Sequence, residues 1–75
     1  MSSNSAQIQR KRLLQYLREI GPISTLEARQ KLDILHPAAR VQWLREHGHN
    51  IVTEPVAEDG HHRVAKYFLL GANHV

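Results

Sequence analysis

Gly21-Pro22-Ile23-Ser24-Thr25-Leu26-Glu27-Ala28 and, a little further on, Pro37-Ala38-Ala39-Arg40-Val41-Gln42-Trp43-Leu44-Arg45-Glu46-His47-Gly48 are the stretches on which the fold turns. In the first, Gly21 and Pro22 stop whatever precedes them. Ser24 with Glu27 three residues on has the form of a capping box, a hydroxyl at the cap and a carboxylate reaching back to it. The helix so opened runs through Leu26, Ala28, Arg29 and Leu32. Asp33-Ile34-Leu35 breaks the pattern, with Ile34 and Leu35 expected as buried turn residues. Proline is favoured at the first helical position because its missing N–H is unpaired there anyway, so His36-Pro37 opens a third helix that continues to Glu46 and closes at Gly48.

Outward from that pair, the N-terminal side predicts a longer helix over residues 6–20, with Ser5 as its cap and Leu13, Leu17 and Ile20 on one face. Ile23, between breakers, is room for a strand stub. On the C-terminal side the period changes. Ile51-Val52-Thr53 is β-branched, Pro55 suits an edge strand or strand end, and Asp59-Gly60 within Ala57-Glu58-Asp59-Gly60 signals a hairpin turn. Arg63 to Leu70 is the returning strand, its alternation leaving open whether Ala65, Tyr67 and Leu69 or Val64, Lys66, Phe68 and Leu70 face the core. The expected organisation is a disordered terminus over 1–4, one domain over 5–70 and a tail over 71–75. The fold class is α+β, three helices followed by a β-hairpin.

Seventy-five residues hold one small domain. A composition 41% hydrophobic and 23% charged is globular rather than disordered. The absence of cysteine removes disulfides, thiolate-ligated zinc and thiol catalysis together. A pocket of roughly 300–1,000 Å³ would consume much of so small a core, no nucleophile–base set or Gly-rich phosphate loop is present, and no enzyme activity or cofactor is expected. The six histidines do not make a metal site. His61 and His62 are adjacent, so in a strand they would point to opposite faces, and no His-Glu-x-x-His pair occurs. No apolar run is long enough for a signal peptide or a membrane helix, which makes the cytoplasm the expected location.

Three helices, the last two joined by a tight turn, followed by a hairpin, is the order of a winged helix-turn-helix. Gly21-Pro22-Ile23-Ser24-Thr25-Leu26-Glu27-Ala28, Leu32, the run Pro37-Ala38-Ala39-Arg40-Val41, and Leu44-Arg45 to Gly48 resemble the small helix-turn-helix domain family common in phage and prophage proteins. The resemblance covers roughly residues 8–53. It implies a sequence-specific module for double-stranded DNA, regulatory in role, with the third helix in the major groove. His36, where relatives have a hydroxyl or small polar residue, and the large Trp43 depart from the pattern.

Projecting the third helix at about 100° per residue, with Val41 inward, places Ala38, Leu44 and Gly48 near the core stripe. His36, Ala39, Arg40, Trp43 and His47 then face the DNA. Arg40 is the leading base contact, since a guanidinium pairs bidentately with guanine, and Ala39 would sit against a thymine methyl. His36 and Gln42 are lesser groove contacts, with Gln42 on the flank. Thr25, Arg29 and Arg45 would hold phosphate, as would unpaired N–H groups at the start of the second helix. The plainer readings stand beside these. Arg40 could simply be solvated or pair with a nearby carboxylate such as Glu27, and Trp43 could be core or an interface anchor. Arg10-Lys11-Arg12 is more simply a solvated face than a backbone contact.

The formal charge of +3 is uneven. Arg10, Lys11, Arg12 and Arg18 against Glu19 give +3 over residues 1–22, Arg29, Lys31, Arg40 and Arg45 against Glu27, Asp33 and Glu46 give +1 over 23–48, and Arg63 and Lys66 against Glu54, Glu58 and Asp59 give −1 over 49–75. The wing tip Glu58-Asp59 is acidic and opposes phosphate contact there. The alternative reading is therefore a protein–protein interaction module that uses Trp43 and the acidic wing. For DNA, a homodimer is expected, because specific operators pair two half-sites.

Overall fold

The computed structural model describes residues 5–57 and 63–71. Helix α1 spans Ala6–Glu19, and the Ser5 hydroxyl accepts from the Ile8 N–H at its start. Its inward face is Gln9, Leu13 and Leu17 rather than one ending at Ile20. Ile20 is 70% exposed, because the helix has already ended. The N–H groups of Ile20 and Gly21 both fold back onto the Tyr16 carbonyl. Gly21 takes a φ of +140°, a conformation that disfavours any side chain, and turns the chain into strand β1, Ile23–Ser24.

Helix α2, Thr25–Leu32, opens with the expected capping box: the Ser24 hydroxyl accepts from the Glu27 N–H, and the Glu27 carboxylate accepts from the Ser24 N–H, each at 3.1 Å. Asp33 ends it in the left-handed conformation at φ 54°. In the following turn Ile34 is fully buried, whereas Leu35, also expected inside, is 67% exposed. Helix α3, Pro37–Glu46, starts on proline, and the His36 side chain makes no cap hydrogen bond. It ends in a Schellman motif, with the His49 N–H on the Leu44 carbonyl, the Gly48 N–H on the Arg45 carbonyl, and Gly48 at φ +97°.

Strands β2, Ile51–Ala57, and β3, Arg63–Leu69, pair antiparallel, and β1 joins the far side of β3. The order is β1-β3-β2, so β3 is the central strand. Strand β2 runs longer than its β-branched start suggests. Pro55 sits inside it opposite Ala65, a place an edge strand tolerates because one row of its backbone groups has no ladder partner. The alternation left open by sequence resolves toward Tyr67, which is 3% exposed, with Ala65 and Leu69 packed beside it. Leu70 lies beyond the strand and is exposed. The expected disordered terminus 1–4, the turn and acidic tip at Glu58-Asp59-Gly60, the His61-His62 pair and residues 72–75 of the tail lie outside the described residues.

One core joins every element: Leu13 and Leu17 from α1, Ile23, Ala28, Ile34, Val41 and Leu44 through the helix-turn-helix, and Ile51 and Tyr67 from the sheet. Burying one such leucine rather than leaving it exposed is worth about 1.5–3 kcal/mol.

Candidate nucleic-acid interface

The outward face of α3 follows from what its other faces hold. Pro37, Val41 and Leu44 are buried. Arg40 and Trp43 lean toward α1, where Arg40 Nε donates to Gln9 Oε1 at 3.1 Å and the Arg10 guanidinium lies 3.9 Å from the Trp43 ring centroid. Arg45 leans the other way, its Nε donating to the Ile51 carbonyl at 2.7 Å and its Nη2 to the Thr53 hydroxyl. Ala38, Ala39, Gln42 and Glu46 remain, all exposed. This rotates the helix relative to the sequence projection. Ala38 and Gly48, expected beside the core stripe, are exposed, and the face opposite the core is centred on Ala39, Gln42 and Glu46 rather than on Arg40 and Trp43.

Trp43 is therefore not a free outward side chain. It is half-buried against the core and stacks on His47 with centroids 3.6 Å apart and planes 11° from parallel. His47 is itself tied to the Trp43 carbonyl through Nδ1 at 2.7 Å. Arg40 pairs with neither Glu27 nor solvent alone; it bolts α3 to α1. The cluster Arg10-Lys11-Arg12 is likewise more than a solvated face. Arg10 covers Trp43, and Arg12 Nη1 donates to the Leu32 carbonyl at 3.0 Å, closing the end of α2. Of the three, Lys11 is the exposed one.

On α2, the Thr25 hydroxyl donates to the Ala65 carbonyl at 3.3 Å and lies 3.2 Å from the Tyr67 hydroxyl. A carbonyl can only accept, so the Thr25 proton goes to Ala65 and Tyr67 donates to Thr25. That chain fixes the start of α2 to the central strand. Arg29 Nε donates to the Leu35 carbonyl at 3.2 Å, bracing the turn between the two helices while its guanidinium stays exposed. Lys31 pairs with Glu27 at 3.2 Å. The Ser24 N–H, together with Lys31, holds the Glu27 carboxyl below the ordinary glutamate value despite some desolvation, and Glu27 in turn raises Lys31.

The arrangement thus brings His36, Ala39 and Gln42 to one exposed surface, with Arg29 on α2 and the outer edge of Arg45 among the exposed residues of the same two helices. Thr25, Arg40 and Trp43 are drawn into the scaffold. Glu46, absent from the sequence-derived set, belongs to the face: Gln42 Nε2 donates to Glu46 Oε2 at 3.2 Å. Its spacing of four from Gln42, which puts two side chains on one helix face, was the available signal.

No described helix is long and apolar enough to cross a membrane. Among the described residues, no three histidine or acidic side chains are grouped to hold a metal ion. Comparison with curated proteins and with solved structures gave no match. A family model described as "Winged helix-turn-helix domain" matches residues 8–72, which take in α1 from its third residue, α2, α3 and the three strands. With the capped α2, the tight turn, the exposed α3 and the three-stranded sheet in place, the chain belongs to the winged helix-turn-helix domain family, a domain of DNA-binding type.

Proposed function

We propose that this protein binds double-stranded DNA as a transcriptional regulator, of the phage or prophage kind its sequence resembles, with α3 entering the major groove. The observation that carries this is the outer face of α3. Its first turn presents only Ala38 and Ala39, so the backbone can approach base edges closely, and Gln42 follows one turn on. A major groove about 12 Å wide admits a helix of this profile. His36 stands at the groove end of the helix. Arg29 and the N–H groups of Arg45 not used by Ile51 and Thr53 supply phosphate contacts; a guanidinium has five, of which Arg45 spends two. Arg40, Thr25 and Trp43 contribute by holding α3 and α2 in place. Two copies bound to two half-sites would make up for the modest affinity of one.

Titration of the ¹⁵N-labelled protein with a random-sequence duplex tests this. Shifts should cluster on Arg29, His36, Ala38, Ala39 and Gln42, and affinity should fall as salt rises, with a log–log slope of about −0.9 per phosphate neutralised. A spectrum unmoved by duplex at low salt would sink the reading.

A further inference from the structure

The outward face of α3 carries no cation among Ala38, Ala39, Gln42 and Glu46, so the usual route to guanine, an arginine on its O6 and N7, is closed there. What the face offers instead is an amide whose orientation a neighbour biases. A primary amide can present its oxygen and nitrogen either way round, and free glutamine on a helix surface samples both. Here Glu46 breaks the tie. A carboxylate only accepts, so it must meet the NH₂ end of Gln42, and Nε2 does donate to Glu46 Oε2 at 3.2 Å. One N–H is thereby occupied. The second N–H and Oε1 remain, a donor beside an acceptor.

That remaining pair matches one base edge. Adenine presents N7 as acceptor and N6–H₂ as donor, and glutamine or asparagine reads them bidentately. The Glu46 carboxylate adds discrimination of its own. Guanine turns two acceptors, O6 and N7, toward the same groove and would face a negative charge. Ala38 and Ala39, one turn back, suit thymine methyls. We infer that Gln42, biased toward one orientation by Glu46, reads an adenine in the major groove, so that the half-site is A·T-bearing and guanine-free at that position. Gln42 is the specificity-determining residue and Glu46 a positioning residue. The inference rests on the DNA-binding reading and goes beyond it.

The test is selection of duplexes from a random library by the full chain, followed by titration of the selected duplex and its single-position variants. Wild-type protein should select an adenine that, replaced by guanine, costs about 5- to 150-fold in affinity. In Gln42→Ala the discrimination at that one position should vanish, with affinity for the selected duplex falling to that for its guanine variant. In Glu46→Ala the same adenine preference should weaken, though random-duplex affinity rises because a negative charge has left the face. Both residues are exposed, and a ¹⁵N spectrum of each variant confirms the fold. A selected sequence unchanged in Gln42→Ala overturns the inference. So does a Glu46→Ala variant that binds every duplex more tightly with the adenine preference intact, because Glu46 would then act by repulsion alone. Wild-type protein that binds no duplex would sink the DNA reading itself, a result separable from either of these.

Discussion

Arg40 and Gln42 sit two positions apart on α3 and differ in what they can do because of where helical geometry sends them. Arg40 points along the seam with α1 and spends Nε on Gln9. Its truncation should act mainly on stability: Arg40→Ala is expected to lower unfolding free energy by about 1–2 kcal/mol, read by urea denaturation, and to weaken duplex binding evenly across sequences. A loss of preference at one base position would return Arg40 to the role its sequence first suggested. Tyr67 gives a cleaner single-atom test. Its hydroxyl donates to Thr25, so Tyr67→Phe deletes one hydrogen bond with little change in packing and should cost about 0.5–1.5 kcal/mol. These two contacts show why side-chain roles were harder to read than elements. The residue types that grip phosphate, threonine and arginine, are the same ones that satisfy nearby carbonyls, and composition does not say which acceptor is closer.

At the scale of elements, most of the architecture was legible. Ser24 with Glu27, Gly21 with Pro22, His36-Pro37 and Gly48 are local signals whose physics does not depend on distant partners, and the helices begin and end where those signals stand. The rotation of α3 was not legible, because Ala38 fits inside or outside equally well and only contact with α1 and β2 decides. The face of β3 was obscured similarly, since Val64 and Phe68 are as apolar as Ala65 and Leu69. The capping box also yields a pH dependence. Glu27 titrates below its ordinary value of 4.5 in the folded state, so its contribution is present above that value and is lost as pH falls through the folded one. The stability gap between wild type and Glu27→Gln should therefore narrow as pH falls below about 4.5 in thermal melts. Ser24→Ala should cost about 0.5–2 kcal/mol at neutral pH in the same assay.

For the whole molecule, what matters is that the wing is no appendage. Strand β3 lies between β1 and β2, and Tyr67 belongs to the core that also contains Leu13, Ile34 and Val41. A fragment ending at residue 50 keeps all three helices yet should show no cooperative thermal transition, whereas the full chain should. The charge distribution points the same way. Two side chains of the N-terminal basic cluster are engaged within the protein, Arg10 on Trp43 and Arg12 on Leu32, and their neutral partners leave the charge in place while fixing where it sits.

The pairing of Ile23 with Tyr67 also sets a timetable. The sheet joins Ile23 to Tyr67 across the whole helix-turn-helix and β2, and the entropy of closing that long loop is repaid only when β3 docks. A polypeptide leaving the ribosome can form its helical turns early, yet Thr25 waits for the Tyr67 hydroxyl and the Ala65 carbonyl before α2 is fixed. Helix α2 of the helix-turn-helix is thus fixed by a strand made after it. A chain interrupted before β3 carries α3 in full, still tied to α1 through Arg40 and Gln9, but lacks the strand that fixes α2 beside it.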